Sequence, residues 1–269
     1  MKTFRLIGMV LTVTFMYVNL VSCSGDDEPG AGVNDSEVKF KRLVEVKVDD
    51  HVLKSTFHFD YNNENKVISI NESDRYGNEH ETSFNWSQNK VVESTTNWEC
   101  SYSYSNGLIG LMEDDGHEVD FTYNQSKNLT KAIQDGGMGY YTYSYSWQNG
   151  KLMNFTYGYK KYGEEVERTE SIYTFSYGNQ TCKGFLPIAV TGIVVDYYYQ
   201  LFWVHPEMVG MKIVDLPTKA VVDYEDGYNR TENYSYTFDN EGYVKSMTIE
   251  HKYSNGEISI ESYNFVWEE

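Results

Sequence analysis

The chain has 269 residues, of which 40 are acidic and 22 basic, and its formal net charge is −18. The basic residues are scattered along the sequence, which argues against a nucleic-acid partner, because phosphate binding needs clustered Lys and Arg. The glycine-rich motifs that bind nucleotide phosphates are absent, so no nucleotide is predicted as a ligand. Strand-favouring residues dominate and helix-period stripes are rare, which predicts an all-β fold.

Residues 1–22 are predicted to be a signal peptide. Lys2 and Arg5 precede an apolar stretch of about 15 residues, which is shorter than the roughly 17 to 25 that a membrane-spanning helix needs. The stretch ends in Leu-Val-Ser before Cys23, a pattern that resembles the lipobox of bacterial lipoproteins. We therefore predict that Cys23 carries a lipid, such as a palmitate-containing anchor, that holds the chain at a membrane. Removal of residues 1–22 leaves 20 basic against 40 acidic side chains, a formal charge of −20.

Residues 23–37 are predicted to be a lipidated, acidic and flexible linker. Gly, Asp, Pro and Ser dominate this segment and are typical of solvated linkers. Asp26, Asp27 and Glu28 follow Cys23 closely, and this cluster resembles the acidic tag that directs Bacteroidetes lipoproteins to the cell surface. The predicted location is the outer membrane with the chain facing outwards, and the alternative is its periplasmic leaflet.

Residues 38–269 are predicted to form a single domain of repeated β-hairpins. From Tyr141 to Trp147 every second residue is aromatic and the residues between are Thr or Ser, so one face of an extended strand is aromatic. Asn149-Gly150 follows, a pair that favours a tight hairpin turn, and residues 152–157 supply the returning strand.

The same unit recurs along the domain. Outgoing strands are predicted at 57–61, 84–86, 101–105, 119–123, 173–177 and 234–238, and returning strands at 67–70, 91–95, 108–112, 129–133 and 244–250. A last hairpin turns at 255–256 and ends at 263–267. The predicted fold is a long antiparallel meander of about 14 strands, curled into a half-pipe or a closed barrel.

The segment at about 185–217 interrupts the hairpin pattern. Asp196 is its only charged residue between Phe185 and Val204. A membrane span is one interpretation, but Pro187 and the predicted lipid anchor argue against it. We predict a buried apolar insert, with a short helix near 197–204, that fills one end of the curved sheet.

These features together resemble a family of exported Bacteroidetes lipoproteins, a domain of unknown function with a porin-like fold. The resemblance rests on the lipobox, the acidic tag, the Tyr-x-Tyr hairpins and Leu216-Pro217, and covers about residues 40–267. The hairpins are also similar to YD-type repeats. The resemblance implies a curved, many-stranded sheet on an exported lipoprotein and supplies no catalytic residues. A membrane pore is not predicted, because Tyr runs through strand centres, whereas membrane barrels confine aromatics to two girdles.

One acidic cluster is a candidate calcium site. Its carboxylates are Asp114, Asp115, Glu118 and Asp120. Their spacing does not match an EF-hand loop, and the alternative is a solvated turn between two strands. No other cofactor is indicated by the sequence.

Two cysteines remain once Cys23 is lipidated. Cys100 and Cys182 could form a disulfide in an oxidising exported compartment, or they could both be free thiols. The sequence has no CxxC motif, so it predicts neither a zinc site nor a thioredoxin-type redox pair.

Aromatic side chains are the candidate binding residues. Trp86, Trp98, Trp147 and Tyr143 could offer flat faces and polar edges to a sugar ring. The alternative is that they pack the inner face of the sheet, which strand alternation favours for Trp86 and Trp147. Trp98 lies outside the clearest alternation, and is the first candidate for a ligand contact.

The predicted function is that of a non-catalytic lipoprotein that binds a polysaccharide or another envelope protein. The motifs GxSxG and HExxH are absent, so no nucleophile elbow or zinc protease helix is predicted. A hydrolase that uses dispersed carboxylates is one alternative, and two opposed carboxylates in a pocket would support it. A structural or carrier barrel is another, which an apolar, ligand-sized cavity would support.

Overall fold

The structure is a computed structural model that describes residues 41–49, 54–114, 116–187 and 200–269. These residues belong to one unit, which extends from Lys39 to Glu269. The signal peptide, the linker and Cys23 lie outside the described residues, so their assignments stay predictions. No helix in the described ranges is both long and apolar enough to cross a membrane.

An antiparallel meander that closes into a barrel forms the described part of the chain. The all-β meander is therefore confirmed, and the closed barrel, rather than the half-pipe, is the form observed, because β1 pairs with β16. The described residues form sixteen strands: β1 Arg42–Asp49, β2 Lys54–Tyr61, β3 Val67–Asp74, β4 Glu79–Trp86, β5 Lys90–Ser94, β6 Glu99–Ser105, β7 Leu108–Asp114, β8 His117–Tyr123, β9 Leu129–Asp135, β10 Gly139–Gln148, β11 Lys151–Lys161, β12 Arg168–Leu186, β13 Ile213–Tyr224, β14 Asn229–Phe238, β15 Val244–Tyr253 and β16 Ile258–Glu268.

The count of about 14 strands is too low, because β1 and β13 were not predicted. Neither strand has the aromatic alternation or the adjacent Asn-Gly pair that marks the other hairpins. β13 also contains Pro217, which cannot donate a backbone hydrogen bond to a sheet ladder. Pro217 lies where the register between β12 and β13 shifts, and such an irregularity accommodates a proline.

The tight turns have the predicted chemistry. Asn106 and Gly107 both have positive φ, 52° and 79°, and Asn149 and Gly150 have 52° and 78°. A two-residue type I′ hairpin turn requires positive φ at both central positions, which Asn and Gly adopt at little cost. These two turns therefore fix the register of the strands that they join.

The strands bury their apolar side chains inside the barrel. On β8, Val119 and Phe121 are buried, while Glu118 and Asp120 between and beside them are exposed. The same alternation holds on β2 and on β4, where buried phenylalanines alternate with exposed polar residues. A barrel embedded in lipid has an apolar band on its outside. Strands β2, β4 and β8 have the reverse arrangement, with apolar side chains inside and polar groups outside.

A short insert fills the interior between β12 and β13. It contains helix α1, Leu201–Val204, and a 3₁₀ helix, Pro206–Val209. All four residues of α1 are buried, and its aromatic rings meet the barrel wall: Phe202 lies 5.6 Å from Tyr102 and Trp203 lies 4.7 Å from Phe57, measured between ring centroids. The helix lies within the predicted range of 197–204. The predicted insert of 185–217 is too long, because its two ends belong to β12 and β13.

Two hydrogen bonds hold the insert to the starts of β3 and β9, one through the His205 side chain and one through the Gly210 carbonyl. The Val67 amide donates to Nε2 of His205 at 3.2 Å, and the Leu129 amide donates to the Gly210 carbonyl at 3.1 Å. Gly210 has φ of 62°, and a Cβ there would lie 2.8 Å from the Leu129 nitrogen. Only glycine fits this close approach without displacing backbone.

One type of hydrogen bond recurs in each pair formed by an odd-numbered strand and the even-numbered strand that follows it. An aromatic side chain of the even-numbered strand donates to a backbone carbonyl in or just before the odd-numbered strand, at 2.6 to 2.9 Å. The donor and acceptor pairs are Tyr61 and Leu43, Trp86 and Val67, Tyr104 and Ser87, Tyr123 and Ile109, Trp147 and Leu129, Tyr177 and Leu152, Tyr236 and Pro217, and Trp267 and Val244.

These eight aromatic clamps define one end of the barrel, which we call the clamp end. Each clamp joins the two strands of a hairpin where they are farthest from their connecting turn. The opposite end, which we call the cavity end, carries the turns that join each odd-numbered strand to the next even one, including those at 75–78, 95–98 and 136–138.

Candidate functional site

A cavity of about 620 Å³ lies inside the barrel at the cavity end. Its wall includes Trp98 from the turn before β6 and Tyr141 from β10, together with Glu93, Asp114 and His117. Cavities of several hundred Å³ with an aromatic wall and a few polar groups are typical of small-molecule sites. This cavity is the candidate functional site.

The sheet register places four of the inward-facing groups side by side. Glu93 on β5 pairs with Cys100 on β6, Cys100 with Asp114 on β7, and Asp114 with His117 on β8. Paired residues on neighbouring strands project from the same face of a sheet. A row of polar groups therefore follows the inner wall across the hydrogen bonds of four strands.

Glu93 is fully buried in this row. Burial raises the pKa of its carboxyl group to about 8, although a hydrogen bond from the Tyr102 hydroxyl opposes that effect. The backbone amide of Gln200, the residue before α1, also donates to Glu93 Oε1 at 3.3 Å. Glu93 is consequently protonated and uncharged at neutral pH, because an isolated buried carboxylate is costly.

Asp135 and His117 meet at the end of β9, where the Asp135 backbone carbonyl contacts the His117 ring and the Asp135 side chain faces outwards. The pKa of Asp135 is lowered by hydrogen bonds from the Tyr162 hydroxyl and from the Gly137 amide, so this carboxylate is charged at neutral pH. Nδ1 of His117 lies 2.9 Å from the Asp135 carbonyl oxygen. A carbonyl only accepts, so Nδ1 carries the proton, and in the neutral ring Nε2 is an acceptor.

The structure separates the four predicted binding residues into two pairs. Trp98 lines the cavity. Tyr143 lies on the same face of β10 as Tyr141, and its hydroxyl donates to Gln134, another residue of the cavity wall, at 3.1 Å. Trp86 and Trp147 are clamps at the opposite end of the barrel, where their indole nitrogens donate to backbone carbonyls.

The predicted calcium site is not assembled among the described residues. Asp114 lies in the inward-facing row, whereas Glu118 and Asp120 are exposed on the outer face of β8. Asp115 lies outside the described residues. Within the described ranges, no three His, Cys, Asp or Glu side chains are grouped so that they could hold a metal ion.

Cys100 and Cys182 are both free and buried. They lie on β6 and β12, and five strands separate these two along the sheet order. Of the two alternatives left by the sequence, the structure therefore has the free thiols. Burial raises the pKa of both thiols, which makes them poor nucleophiles.

Of the eleven described residues that line the cavity, only Trp98 and Asp114 were predicted from the sequence as site residues; the other nine include Glu93, His117 and Tyr141. A signal was present for Glu93, which follows Val91 by two positions and so projects from the same, buried face of β5. A charged residue at an inward position is therefore a marker of a polar site inside a barrel.

A second polar cluster lies on the inner wall at β14 to β16. Glu232 is 3% exposed, and it accepts from the Tyr234 hydroxyl and pairs with Arg230 at 2.6 Å and with His251 at 3.4 Å. Burial would lower the pKa of His251, but its contacts with Glu232 and Glu261 outweigh burial and raise it to about 9. Cations and anions alternate in this cluster, which therefore balances its own charge.

The carboxyl groups of the cavity lie along one wall. Glu93 and Asp114 belong to β5 and β7, which one strand separates. A glycosidase places its two carboxyl groups on opposite sides of the scissile bond. The cavity thus does not reproduce the opposed pair on which the hydrolase alternative depends.

Comparisons with known proteins bear on the fold. No protein-family model matches the sequence, and no curated protein matches it. Two of the solved structures that are similar to this one are porin-like proteins. A porin-like protein from Bacteroides uniformis ATCC 8492 has a TM-score of 0.64 at 15% sequence identity, over 84% of this chain and 98% of that protein. A porin-like protein from Bacteroides vulgatus ATCC 8482 has a TM-score of 0.61 at 12% identity, over the same shares of the two chains. The barrel therefore has the fold of these porin-like proteins.

Proposed function

We propose that this protein is an outer-membrane lipoprotein whose barrel binds a saccharide in the cavity at its cavity end. The observation that carries the proposal is the composition of the cavity wall, where the flat rings of Trp98 and Tyr141 lie among carboxyl, amide and imidazole groups. A sugar ring has an apolar face that packs on an aromatic ring and hydroxyl edges that need hydrogen-bond partners.

The volume and chemistry of the cavity favour a polar ligand over an apolar one. A carrier of lipids needs an apolar cavity, whereas Glu93, Asp114, His117 and Gln134 would each lose hydrogen bonds to water against a hydrocarbon. A volume of about 620 Å³ is within the usual range for a ligand of one or a few rings. The carrier alternative is less well supported for this reason.

The proposed outer-membrane location is supported by the sequence around Cys23 and by the outer face of the barrel. Lipid attachment at Cys23 would hold the barrel at the membrane without any membrane-spanning segment, since two or three acyl chains suffice for stable anchoring. The polar outer face of the described strands agrees with a barrel that is held beside the membrane in water. The acidic residues after Cys23 favour the cell surface over the periplasmic leaflet.

Tryptophan fluorescence of the full-length chain in detergent tests the binding proposal. The chain is titrated with a panel of neutral, amino and acidic disaccharides and oligosaccharides. We expect a saturable emission change with at least one saccharide, because a ligand in the cavity would displace water from Trp98. The Trp98→Phe variant should lose most of that change, and Tyr76→Ala should retain it, since Tyr76 is 74% exposed in a turn of the same end.

Absence of a saturable change across the panel would contradict the saccharide proposal. A change that Trp98→Phe leaves intact would contradict the assignment of the site to this cavity. Mass spectrometry of the N-terminal peptide tests the anchor separately, and an unmodified Cys23 in the mature protein would exclude it.

A further inference from the structure

We infer that the cavity prefers saccharides that carry a protonated amine over neutral and anionic saccharides. This inference deepens the proposed function and rests on it. It depends on the charge of the cavity wall, on the hydrogen-bonding groups that the wall presents and on the position of Trp98.

The charge of the wall is negative. Asp114 lies on the inward face of β7 and presents a carboxyl group to the cavity, whereas the Asp135 carboxylate accepts from Tyr162 on the outer face. Among the described residues that line the cavity there is no Lys or Arg to balance the charge of Asp114. An acidic ligand would therefore meet repulsion at short range, in a site whose walls exclude much of the screening water.

The wall is also rich in hydrogen-bond acceptors. His117 donates through Nδ1 to the Asp135 carbonyl, which leaves Nε2 as an acceptor. Gln200 also lines the cavity, and its Oε1 is buried and has no hydrogen-bond partner among the described residues. A buried acceptor without a donor costs free energy. An ammonium group has three donors and no acceptor, so it matches this wall better than a hydroxyl group does.

Trp98 adds an attraction for the same class of ligand. An indole ring is the strongest aromatic partner for a cation that lies over its face. A sugar ring stacked on Trp98 would bring its substituents towards the carboxyl groups of the wall. The chain as a whole adds to this effect, because the predicted mature protein has 20 basic against 40 acidic side chains, which raises the local concentration of cations.

Three disaccharides with the same ring skeleton test the effect of ligand charge on binding. They are di-glucosamine, which is cationic, cellobiose, which is neutral, and cellobiouronic acid, which is anionic. Their Kd values are measured by calorimetry on the full-length chain at about pH 6, where the amines are protonated and Glu93, with its pKa of about 8, is neutral. We expect di-glucosamine to bind at least about ten-fold more tightly than cellobiose, and cellobiouronic acid to bind more weakly than both. The preference should decrease as salt increases.

One variant locates the preference in the cavity. Asp114→Asn should reduce the ratio of the cellobiose Kd to the di-glucosamine Kd several-fold. Asp120→Asn is the matched control, because Asp120 is exposed on the outer face of β8 and its removal changes the net charge equally. Its ratio should equal that of the unmodified protein.

The outcomes distinguish this inference from the proposed function. Equal Kd values for di-glucosamine and cellobiose would overturn the amine preference and leave saccharide binding in place. No binding of any of the three, or of the wider panel, would overturn the proposed function and this inference with it. A change of the ratio in Asp120→Asn as large as in Asp114→Asn would assign the preference to net charge, and would overturn the role of the Asp114 carboxyl group.

Discussion

At the clamp end, eight aromatic side chains donate to backbone carbonyls and hold the strands of each hairpin together. At the cavity end, the aromatic residues Trp98 and Tyr141 instead line a cavity with carboxyl, amide and imidazole groups. The two ends contain the same residue types. An aromatic residue of this barrel is structural where its polar atom donates to a backbone carbonyl. Where it lines the cavity instead, as Trp98 and Tyr141 do, we propose that it contacts a ligand.

The largest difference in stability between the two ends should follow from Gly210→Ala. The added Cβ would lie 2.8 Å from the Leu129 backbone nitrogen at a positive φ, so backbone at the clamp end must shift. We expect the free energy of unfolding to fall by roughly 3 kcal/mol or more. Gly256→Ala is the control at the cavity end, because Gly256 also has positive φ but no atom within 4 Å of its Cβ position. It should cost only about 1 kcal/mol, and equal losses would contradict the close contact at Gly210.

Glu93→Gln should change the pH dependence of stability at the cavity end. The carboxyl group has a pKa of about 8 in the folded protein against 4.5 ordinarily. Between these values the folded chain keeps a proton that the unfolded chain has released, so the free energy of unfolding falls as pH rises through this window. The decrease is at most about 1.4 kcal/mol per pH unit, and Glu93→Gln removes it.

Urea unfolding of both proteins at several pH values between 4 and 9 measures this difference. His251 titrates in both proteins, so its contribution cancels when the two are compared. The variant should gain stability relative to the unmodified protein as pH rises, because Gln does not titrate. Its single amide oxygen can accept from only one of the two donors, Tyr102 or the Gln200 backbone amide, and this loss is the same at every pH. Parallel pH profiles would show that Glu93 is ionised inside the barrel.

A clamp substitution should have a smaller effect. Trp147→Phe removes the indole donor that reaches the Leu129 carbonyl at 2.7 Å and leaves most of the ring packing. The loss of one such hydrogen bond costs about 1 to 2 kcal/mol. Tyr61→Phe and Tyr177→Phe delete the corresponding hydroxyl groups, and chemical denaturation should give a loss of similar size for each. Unchanged stability in all three variants would contradict a structural role for the clamps.

The clamp end could largely be predicted from the sequence, since its hairpins repeat one pattern. The alternation from Tyr141 to Trp147 and the Asn149-Gly150 turn define a unit. Its copies along the domain predicted fourteen of the sixteen strands that the described residues form. The other two strands, β1 and β13, lack that pattern. β1 is identified only by its pairing with β16, which closes the barrel. Closure depends on pairing between the two termini of the domain, which no local pattern reports.

The cavity end could be predicted only in part. Trp98 was identified because it departs from the alternation, but the groups around it come from four hairpins that are distant in sequence. Their meeting depends on the register across β5 to β8, and a shift of one residue would turn Glu93 or Asp114 to the outside. The same alternation separates two residues of the predicted calcium site, since Asp114 faces inwards and Glu118 faces outwards.

The most direct test of the account compares Trp98→Phe and Trp147→Phe by thermal unfolding and by saccharide titration on the same preparations. We expect Trp147→Phe to lower Tm by about 2 to 6 °C and to leave the Kd unchanged, and we expect Trp98→Phe to weaken binding. A Trp98→Phe variant that loses as much thermal stability as Trp147→Phe, with no change in Kd, would contradict the division of the barrel into a clamp end and a binding end.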